Sequence, residues 1–253
     1  MLKAKQDTAL QEQLPSIDAV SVWALSGVAV HRSIAKQIDN WTIEKKPNFD
    51  TALDDALFYL KYIWSKQDQL IIEAINGKKL DSSLLSQLVR SVRHNFKVFR
   101  QQIWPRFDGH KHLIHEKSKD FRIEQQIVSV KIDLVTIAPN KTLFITDWKT
   151  GNMPILGANT LQLNVYALWA QDQYKIDCSD IVVQLVNLKT GEIEQKKPSL
   201  KDLQDTITQI ISESKKWEDP KEQNFIPKPD IDKCLACKFL IICDFGKRKK
   251  EGF

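Results

Sequence analysis

The sequence lacks the features that mark membrane and secreted proteins. No apolar run approaches the roughly 18 consecutive residues that a membrane-spanning helix needs. The 253 residues include only 4 cysteines, which are too few for a disulfide-stapled fold. The first residues are polar and do not match a secretory signal. We therefore expect a cytoplasmic protein without a membrane segment.

The remaining composition is typical of an ordinary globular chain. Hydrophobic residues make up 42% and charged residues 27%, so the chain can bury a core and is not a disordered tail. The net charge of +5 permits an anionic partner such as a nucleic acid without proving one. The sequence contains no Walker-type phosphate loop.

The spacing of apolar residues predicts a helical region over residues 16–105. The first helix is predicted to begin after Ser16, whose hydroxyl can cap it. A second helix is predicted to end near Gly77. A third is predicted to end at Pro105, because proline lacks an amide hydrogen and clashes with the preceding turn.

The pattern then changes to alternating β-branched residues, which is typical of strands. The predicted elements are, in order, strands over 121–137 and 143–149 that pair as a hairpin, a helix over 158–170, strands over 181–186 and 192–195, and a helix over 199–217. Strands that alternate with helices predict an α/β core behind an N-terminal helical elaboration. We expect one domain over residues 1–253, composed of the helical region 16–105, the α/β core 106–217 and a cysteine-containing tail 218–253.

Three charged residues interrupt the apolar strands of the predicted hairpin. Asp147 and Lys149 are two residues apart and point to the same face of their strand, and Asp133 can meet Asp147 across the hairpin. Two carboxylates among apolar side chains repel each other, which either raises the pKa of a carboxyl group or recruits a hard divalent cation. Lys149 beside such a cation can orient an attacking water. A salt bridge at a strand edge is the alternative.

In order and spacing these residues resemble the PD-(D/E)xK nuclease superfamily, and within it the RecB-like exonuclease branch. The matching segments are Lys-Ile-Asp-Leu-Val at 131–135, Phe-Ile-Thr-Asp-Trp-Lys-Thr-Gly at 144–151 and Leu-Gln-Leu-Asn-Val-Tyr at 161–166. The resemblance implies a restriction-endonuclease-like mixed central sheet flanked by helices. It also implies that Gln162 and Tyr166, one helical turn apart, contact the DNA backbone. Taken alone, the pair would be an ordinary amphipathic helix face.

A Gly-x-x-x-His element of the same branch is present upstream, at Gly27 and His31. Residues four apart share one helix face, and glycine lets the helix approach the sheet while His31 reaches in. The resemblance implies that Mg²⁺ or Mn²⁺ is held by His31, Asp133, Asp147 and the Trp148 carbonyl. Without the other motifs, His31 would be a solvated or core histidine.

Three further histidines, His110, His112 and His115, lie in a segment that we predict to be a polar loop. They can bind metal, but their spacing fits neither a helix nor a strand. Glu116 lies just before the first predicted strand, where some members of the family carry an auxiliary acid.

Three cysteines, Cys234, Cys237 and Cys243, follow the core at Cys-x2-Cys-x5-Cys spacing. This tail resembles the iron–sulfur members of the branch, including the CRISPR-associated four-cysteine nucleases and the AddB-type proteins, which implies a [4Fe-4S] cluster. In those proteins the fourth cysteine precedes the histidine helix. This chain has none there, so Cys178 is the remaining candidate. Zn²⁺ on the same thiolates, or no metal, are the alternatives.

The resemblance implies a metal-dependent DNA nuclease that hydrolyses phosphodiester bonds, with Asp133, Asp147 and Lys149 as catalytic residues. We expect an exonuclease or end-processing enzyme that acts on DNA with single-stranded character in repair, recombination or defence, with a helicase or a defence system as partner. The alternatives are a catalytically silent DNA-binding or assembly protein of the same fold and the nuclease subunit of a larger helicase–nuclease complex.

Overall fold

A computed structural model of the protein describes residues 14–16, 18–39, 41, 47, 49–151, 160–218 and 230–250. The helices are α1 (Val22–Ile38), α2 (Ala52–Ser65), α3 (Gln67–Leu70), α4 (Ile72–Ile75), α5 (Ser82–Val98), α6 (Thr160–Tyr174), α7 (Leu200–Glu218), α8 (Ile231–Leu235) and α9 (Asp244–Lys250). The strands are β1 (Lys111–Ile123), β2 (Gln126–Ile137), β3 (Leu143–Lys149), β4 (Ile181–Asn187) and β5 (Ile193–Lys196). Within the described ranges, no helix is both long enough and apolar enough to cross a membrane.

The strands form one mixed sheet in the order β1-β2-β3-β4-β5. Neighbouring strands are antiparallel except β3 and β4, which are parallel. The reason is that α6 connects β3 to β4 as a crossover and returns the chain to the end of the sheet where β3 began. The helix α6 packs against β2, β4 and α7, and the core contains Ile145 of β3, Trp169 of α6 and Val183 of β4. This sheet flanked by helices confirms the predicted α/β fold.

The segment predicted as a polar loop with three histidines is largely a strand, so that prediction was wrong. His112 and His115 lie in β1, which pairs with β2 along its whole length. The single strand predicted over 121–137 is instead the end of β1, a turn in which Glu124 has a left-handed φ of 52°, and β2. As an edge strand with one solvated face, β1 is rich in polar residues and lacks the apolar pattern that would predict it.

The first two helices also differ from their predictions. Val20 forms a parallel bridge with Ile71, and this extended pairing keeps the chain out of the helical conformation until Val22. The helix α1 therefore begins six residues after Ser16. The same bridge holds Ile71 extended, at φ −113° and ψ 115°, and so separates α3 from α4. The earlier break, between α2 and α3, lies at Lys66, which has φ −115° and ψ 32°.

The chain divides into two compact units. The first comprises residues 1–29, 54–92 and 221–253, and the second comprises residues 30–53 and 93–220. The whole sheet, α6 and α7 belong to the second unit. The prediction of one nuclease domain over 1–253 stays a prediction.

Candidate metal centre

Three side chains of the second unit converge at one point. His31 of α1, Glu116 of β1 and Asp133 of β2 each offer a ligand atom, and these atoms all lie within 4.8 Å of one another. His31 Nδ1 lies 3.3 Å from Glu116 Oε1 and 3.3 Å from Asp133 Oδ1. One imidazole nitrogen with two carboxylates is a donor set that suits a divalent cation.

Glu116 is the member of this group that the sequence analysis treated as a minor auxiliary acid. It lies inside β1 and adopts a φ of 43°, in the left-handed region that non-glycine residues rarely occupy. Both carboxylate oxygens have partners, because His31 contacts Oε1 and Lys131 Nζ lies 2.7 Å from Oε2. The neighbouring strand thus holds the strained residue in place, and strain of this kind is common at functional sites.

Asp133 is fixed at the end of the ladder between β2 and β3. The last pair of that ladder is Leu134 with Thr146. Beyond this pair, the backbone N–H of Trp148 donates a 2.7 Å hydrogen bond to Asp133 Oδ2 in place of a backbone carbonyl of β2. The N–H and C=O of one residue leave an extended strand on the same side, so the Trp148 carbonyl also points toward β2. The site thereby gains a backbone oxygen as a further candidate ligand.

The Trp148 side chain anchors this part of β3. Its ring packs edge-on against Phe99 at 5.7 Å and against Phe107 at 5.8 Å. Side chains alternate across a strand, so Asp147 and Lys149, on either side of Trp148, share the opposite face. The aromatic contacts therefore determine the direction in which this acid and this lysine point.

Asp147 is buried beside Lys149 and a polar pair on α6. Lys149 Nζ lies 2.6 Å from Asp147 Oδ2 as an ion pair. Burial and the nearby charge of Asp133 raise the pKa of Asp147, while Lys149 opposes the rise. Gln162 Nε2 donates to Asp147 Oδ1 at 3.2 Å and to the Tyr166 hydroxyl at 2.7 Å.

The Tyr166 hydroxyl lies close to the same carboxylate, 3.4 Å from Asp147 Oδ1, and donates to the Lys131 carbonyl at 2.9 Å. Burial and the charge of Asp147 raise the pKa of Tyr166. In this structure both Gln162 and Tyr166 contact Asp147. Their predicted contact with the DNA backbone stays a prediction.

The electrostatics of the cluster show how strongly it attracts positive charge. Burial lowers the pKa of His31, but hydrogen bonds and charges from Asp133 and Glu116 outweigh burial and raise that pKa to about 10. Burial raises the pKa of Glu116, but His31 and Lys131 outweigh it and lower that pKa to about 2. The positive charges of His31, Lys131 and Lys149 therefore compensate the negative charges of the carboxylates. A bound divalent ion would supply positive charge at the same place. The residues fit a divalent metal.

The tail cysteines lie in the first unit and Cys178 in the second. All four are free; Cys178 is buried and the others are half-buried. Gly246 N donates to Cys243 Sγ at 3.3 Å, and a Cβ on Gly246 would lie 3.7 Å from Cys234 Sγ, so two sulfurs flank this glycine. In the ranges that the structure describes, no cysteine belongs to a group of three metal-binding side chains with ligand atoms within 4.8 Å. The cluster stays a prediction.

Comparison with known proteins agrees with this fold. A family model described as the PD-(D/E)XK nuclease superfamily matches residues 9–244. No curated protein gives a significant match. A solved structure titled "Crystal structure of SSO0001" is similar to 87% of this chain and 96% of that chain, at 11% identity and a TM-score of 0.34. That level of similarity supports no statement about function.

Proposed function

The chain belongs to the PD-(D/E)XK nuclease superfamily, and on that premise we propose that it is a RecB-like deoxyribonuclease that uses Mg²⁺ or Mn²⁺. The superfamily implies nuclease activity with divalent metals. The observation that carries the proposal is the convergence of His31, Glu116 and Asp133 within 4.8 Å. The ion pair of Asp147 with Lys149 supplies the remaining elements of the superfamily's motif.

The proposed metal ligands are His31, Glu116, Asp133, Asp147 and the Trp148 carbonyl. When bound, the metal supplies a Lewis acid that polarises the scissile phosphate and lowers the pKa of a bound water. Lys149 orients the attacking water and places positive charge beside the phosphate, where negative charge develops in the transition state. Gln162 and Tyr166 keep one oxygen of Asp147 in place, so that its other oxygen faces Lys149.

The proposed substrate is DNA with single-stranded character, attacked by exonuclease or end-processing action. The net charge of +5 supports a polyanionic substrate, and backbone phosphates are the part of DNA that such charge recognises without regard to sequence. We propose a role in repair, recombination or defence. A helicase or defence-system partner would supply unwinding, because the sequence contains no Walker-type loop.

A digestion assay tests the proposal. Single- and double-stranded DNA labelled at either end, and RNA of the same sequence, are incubated with the full chain and Mn²⁺, Mg²⁺ or EDTA. We expect metal-dependent cleavage of DNA, which Asp147→Asn and Lys149→Met reduce by at least about 100-fold. The matched controls are Asp172→Asn and Lys175→Met, which alter an exposed ion pair of the same types and should leave cleavage unchanged.

The assay also separates the alternatives. DNA binding without cleavage under every metal condition would indicate the catalytically silent DNA-binding protein and overturn the proposal. Activity that appears only with a co-purified helicase would indicate a subunit of a larger complex. Cleavage that persists in Asp147→Asn and Lys149→Met would place the chemistry elsewhere.

We also propose that the tail cysteines bind a [4Fe-4S] cluster, with Zn²⁺ as the alternative. The turn that carries them is held by Asn76, whose Nδ2 donates to the Leu235 carbonyl at 2.8 Å and the Cys237 carbonyl at 3.1 Å. Anaerobic purification with iron, sulfide and zinc analysis tests this. A brown sample with a broad visible band supports the cluster, which Cys237→Ser should abolish; Cys178→Ser tests the fourth ligand. Protein free of iron and zinc would overturn both metals.

A further inference from the structure

A second group of ring nitrogens lies in the second unit, outside the candidate metal centre. His112 Nε2 faces His115 Nδ1 at 2.9 Å, and the ring centroids are 4.9 Å apart. Side chains three residues apart on a regular strand point to opposite faces. The register of β1 against β2 shifts between His112 and Ile114, and such a bulge can bring both rings to one face. This is why the spacing of the histidines fits no regular element.

Each ring also has a contact with a group that can only accept a hydrogen bond. His115 Nε2 lies 3.0 Å from Asp39 Oδ1. The backbone carbonyl of Trp41 accepts a hydrogen bond from His112, and the Trp41 ring stacks on His112 at 5.4 Å and 15°. Each outer nitrogen must therefore carry the hydrogen, so each inner nitrogen of a neutral ring keeps its lone pair.

Two lone pairs that face each other across 2.9 Å repel unless a cation lies between them. The cation is either a proton or a metal ion. Burial lowers the pKa of His112 to about 4, so His112 Nε2 keeps its lone pair at neutral pH and can accept a cation. Neutral imidazoles bind borderline transition metals. Histidine ligands of metals usually donate their other N–H to a carboxylate or a backbone carbonyl, as these two rings do.

We propose that His112 Nε2 and His115 Nδ1 bind a Zn²⁺-class transition-metal ion at a site separate from the nuclease centre. Zn–N bonds of about 2.0–2.1 Å in tetrahedral geometry place two ligand nitrogens about 3.3 Å apart, so the rings need to separate by only about 0.4 Å. No third protein ligand lies close enough within the described ranges. Water therefore completes the coordination, and the exposure of 69% of the Asp39 side chain shows that the site borders solvent.

Histidine-labelled protein gives a site-specific test, because the chain has only 5 histidines. The full chain is labelled with ¹⁵N-histidine, freed of metal, and titrated with Zn²⁺ and separately with Mg²⁺ at pH 7.5. Zn²⁺ should shift the Nε2 signal of one ring and the Nδ1 signal of another, and both shifts should disappear in His112→Phe, which keeps a ring against Trp41. Mg²⁺ should leave these two signals unchanged.

Affinity supplies a second measurement, by competition with a chromophoric chelator. Zn²⁺ binding at this site should weaken about 10-fold or more in Asp39→Asn, which alters the hydrogen-bond partner of His115. It should be unchanged in His94→Phe, because His94 contacts the Lys189 carbonyl instead. Signals of His112 and His115 that do not respond to Zn²⁺ would overturn the proposal. A second result would also overturn it. In that case the spectrum of the metal-free protein at pH 7.5 shows that His112 and His115 share an extra proton, and added Zn²⁺ does not displace that proton.

Discussion

Metal binding at the candidate centre should release a proton from His31. In the metal-free protein, burial lowers the pKa of His31, but the hydrogen bonds and charges of Asp133 and Glu116 outweigh burial and raise it to about 10. The imidazole is therefore a cation at neutral pH and lies between two carboxylates. A histidine that ligates a metal must be neutral, so the proton and the metal compete for His31.

The pKa determines the magnitude of this competition. Three pH units separate pH 7 from a pKa of about 10, so removing the proton at pH 7 costs about 4 kcal/mol, at 1.36 kcal/mol per unit. The proton is bound in the metal-free state and lost in the metal-bound state, so affinity rises with pH. We expect the dissociation constant for Mn²⁺ to fall about tenfold per pH unit below pH 10, or about 100-fold between pH 6.5 and pH 8.5.

Calorimetric titration with Mn²⁺ in two buffers of different ionisation enthalpy counts the released protons. The difference between wild type and His31→Asn isolates the contribution of His31, because the raised pKa of Asp147 can contribute in both proteins. We expect the variant to release one proton fewer and to show a flatter pH dependence, whereas His94→Asn behaves as wild type. A wild-type dissociation constant that changes less than about threefold over this pH range would refute the reasoning.

Two further predictions concern stability, measured by urea denaturation. Glu73 is fully buried and accepts a 2.8 Å hydrogen bond from Val22 N at the start of α1. Glu73→Ala should therefore lower the free energy of unfolding by about 3 kcal/mol, because it leaves that amide unpaired. The control Glu213→Ala, at an exposed position, should leave the free energy of unfolding almost unchanged. Gly191 has a φ of 80°, and a Cβ there would lie 2.0 Å from Gln102 Oε1, so Gly191→Ala should cost about 1–2 kcal/mol.

The control for the glycine is Gly151→Ala, since a Cβ at Gly151 meets no atom within 4 Å. If both glycine variants are equally stable, the left-handed backbone at Gly191 is not the source of strain. A loss below about 1 kcal/mol for Glu73→Ala would mean that another group or water satisfies the amide of Val22.

The core elements could be predicted because their patterns are local. The strand with Asp147 and Lys149 begins with a short apolar run, Leu143 to Ile145, and is followed by Gly151. The helix α7 begins next to Ser199, whose hydroxyl accepts from Asp202 N at 3.1 Å as a helix cap does. The strand β1 could not be predicted in the same way. Its polar face is solvated, and its stability comes from pairing with β2 rather than from its own residues.

The role of Glu116 illustrates the limit most clearly. Its carboxylate meets His31, 85 residues away in sequence, through a left-handed backbone turn within a strand. Neither that backbone conformation nor that contact leaves a periodic signal in the sequence. The resemblance to a known family directed attention to His31, Asp133 and Asp147, but it treated Glu116 as secondary.

The amino-acid sequence by itself determined the order of the core strands and helices and the chemical types at the centre, because alternation and helical spacing follow from backbone geometry that is common to all chains. Only the tertiary structure decided which acids share His31, how far its pKa rises, and that His112 and His115 face each other across a bulge. These properties depend on distance and burial between residues remote in sequence, and no local pattern contains that information.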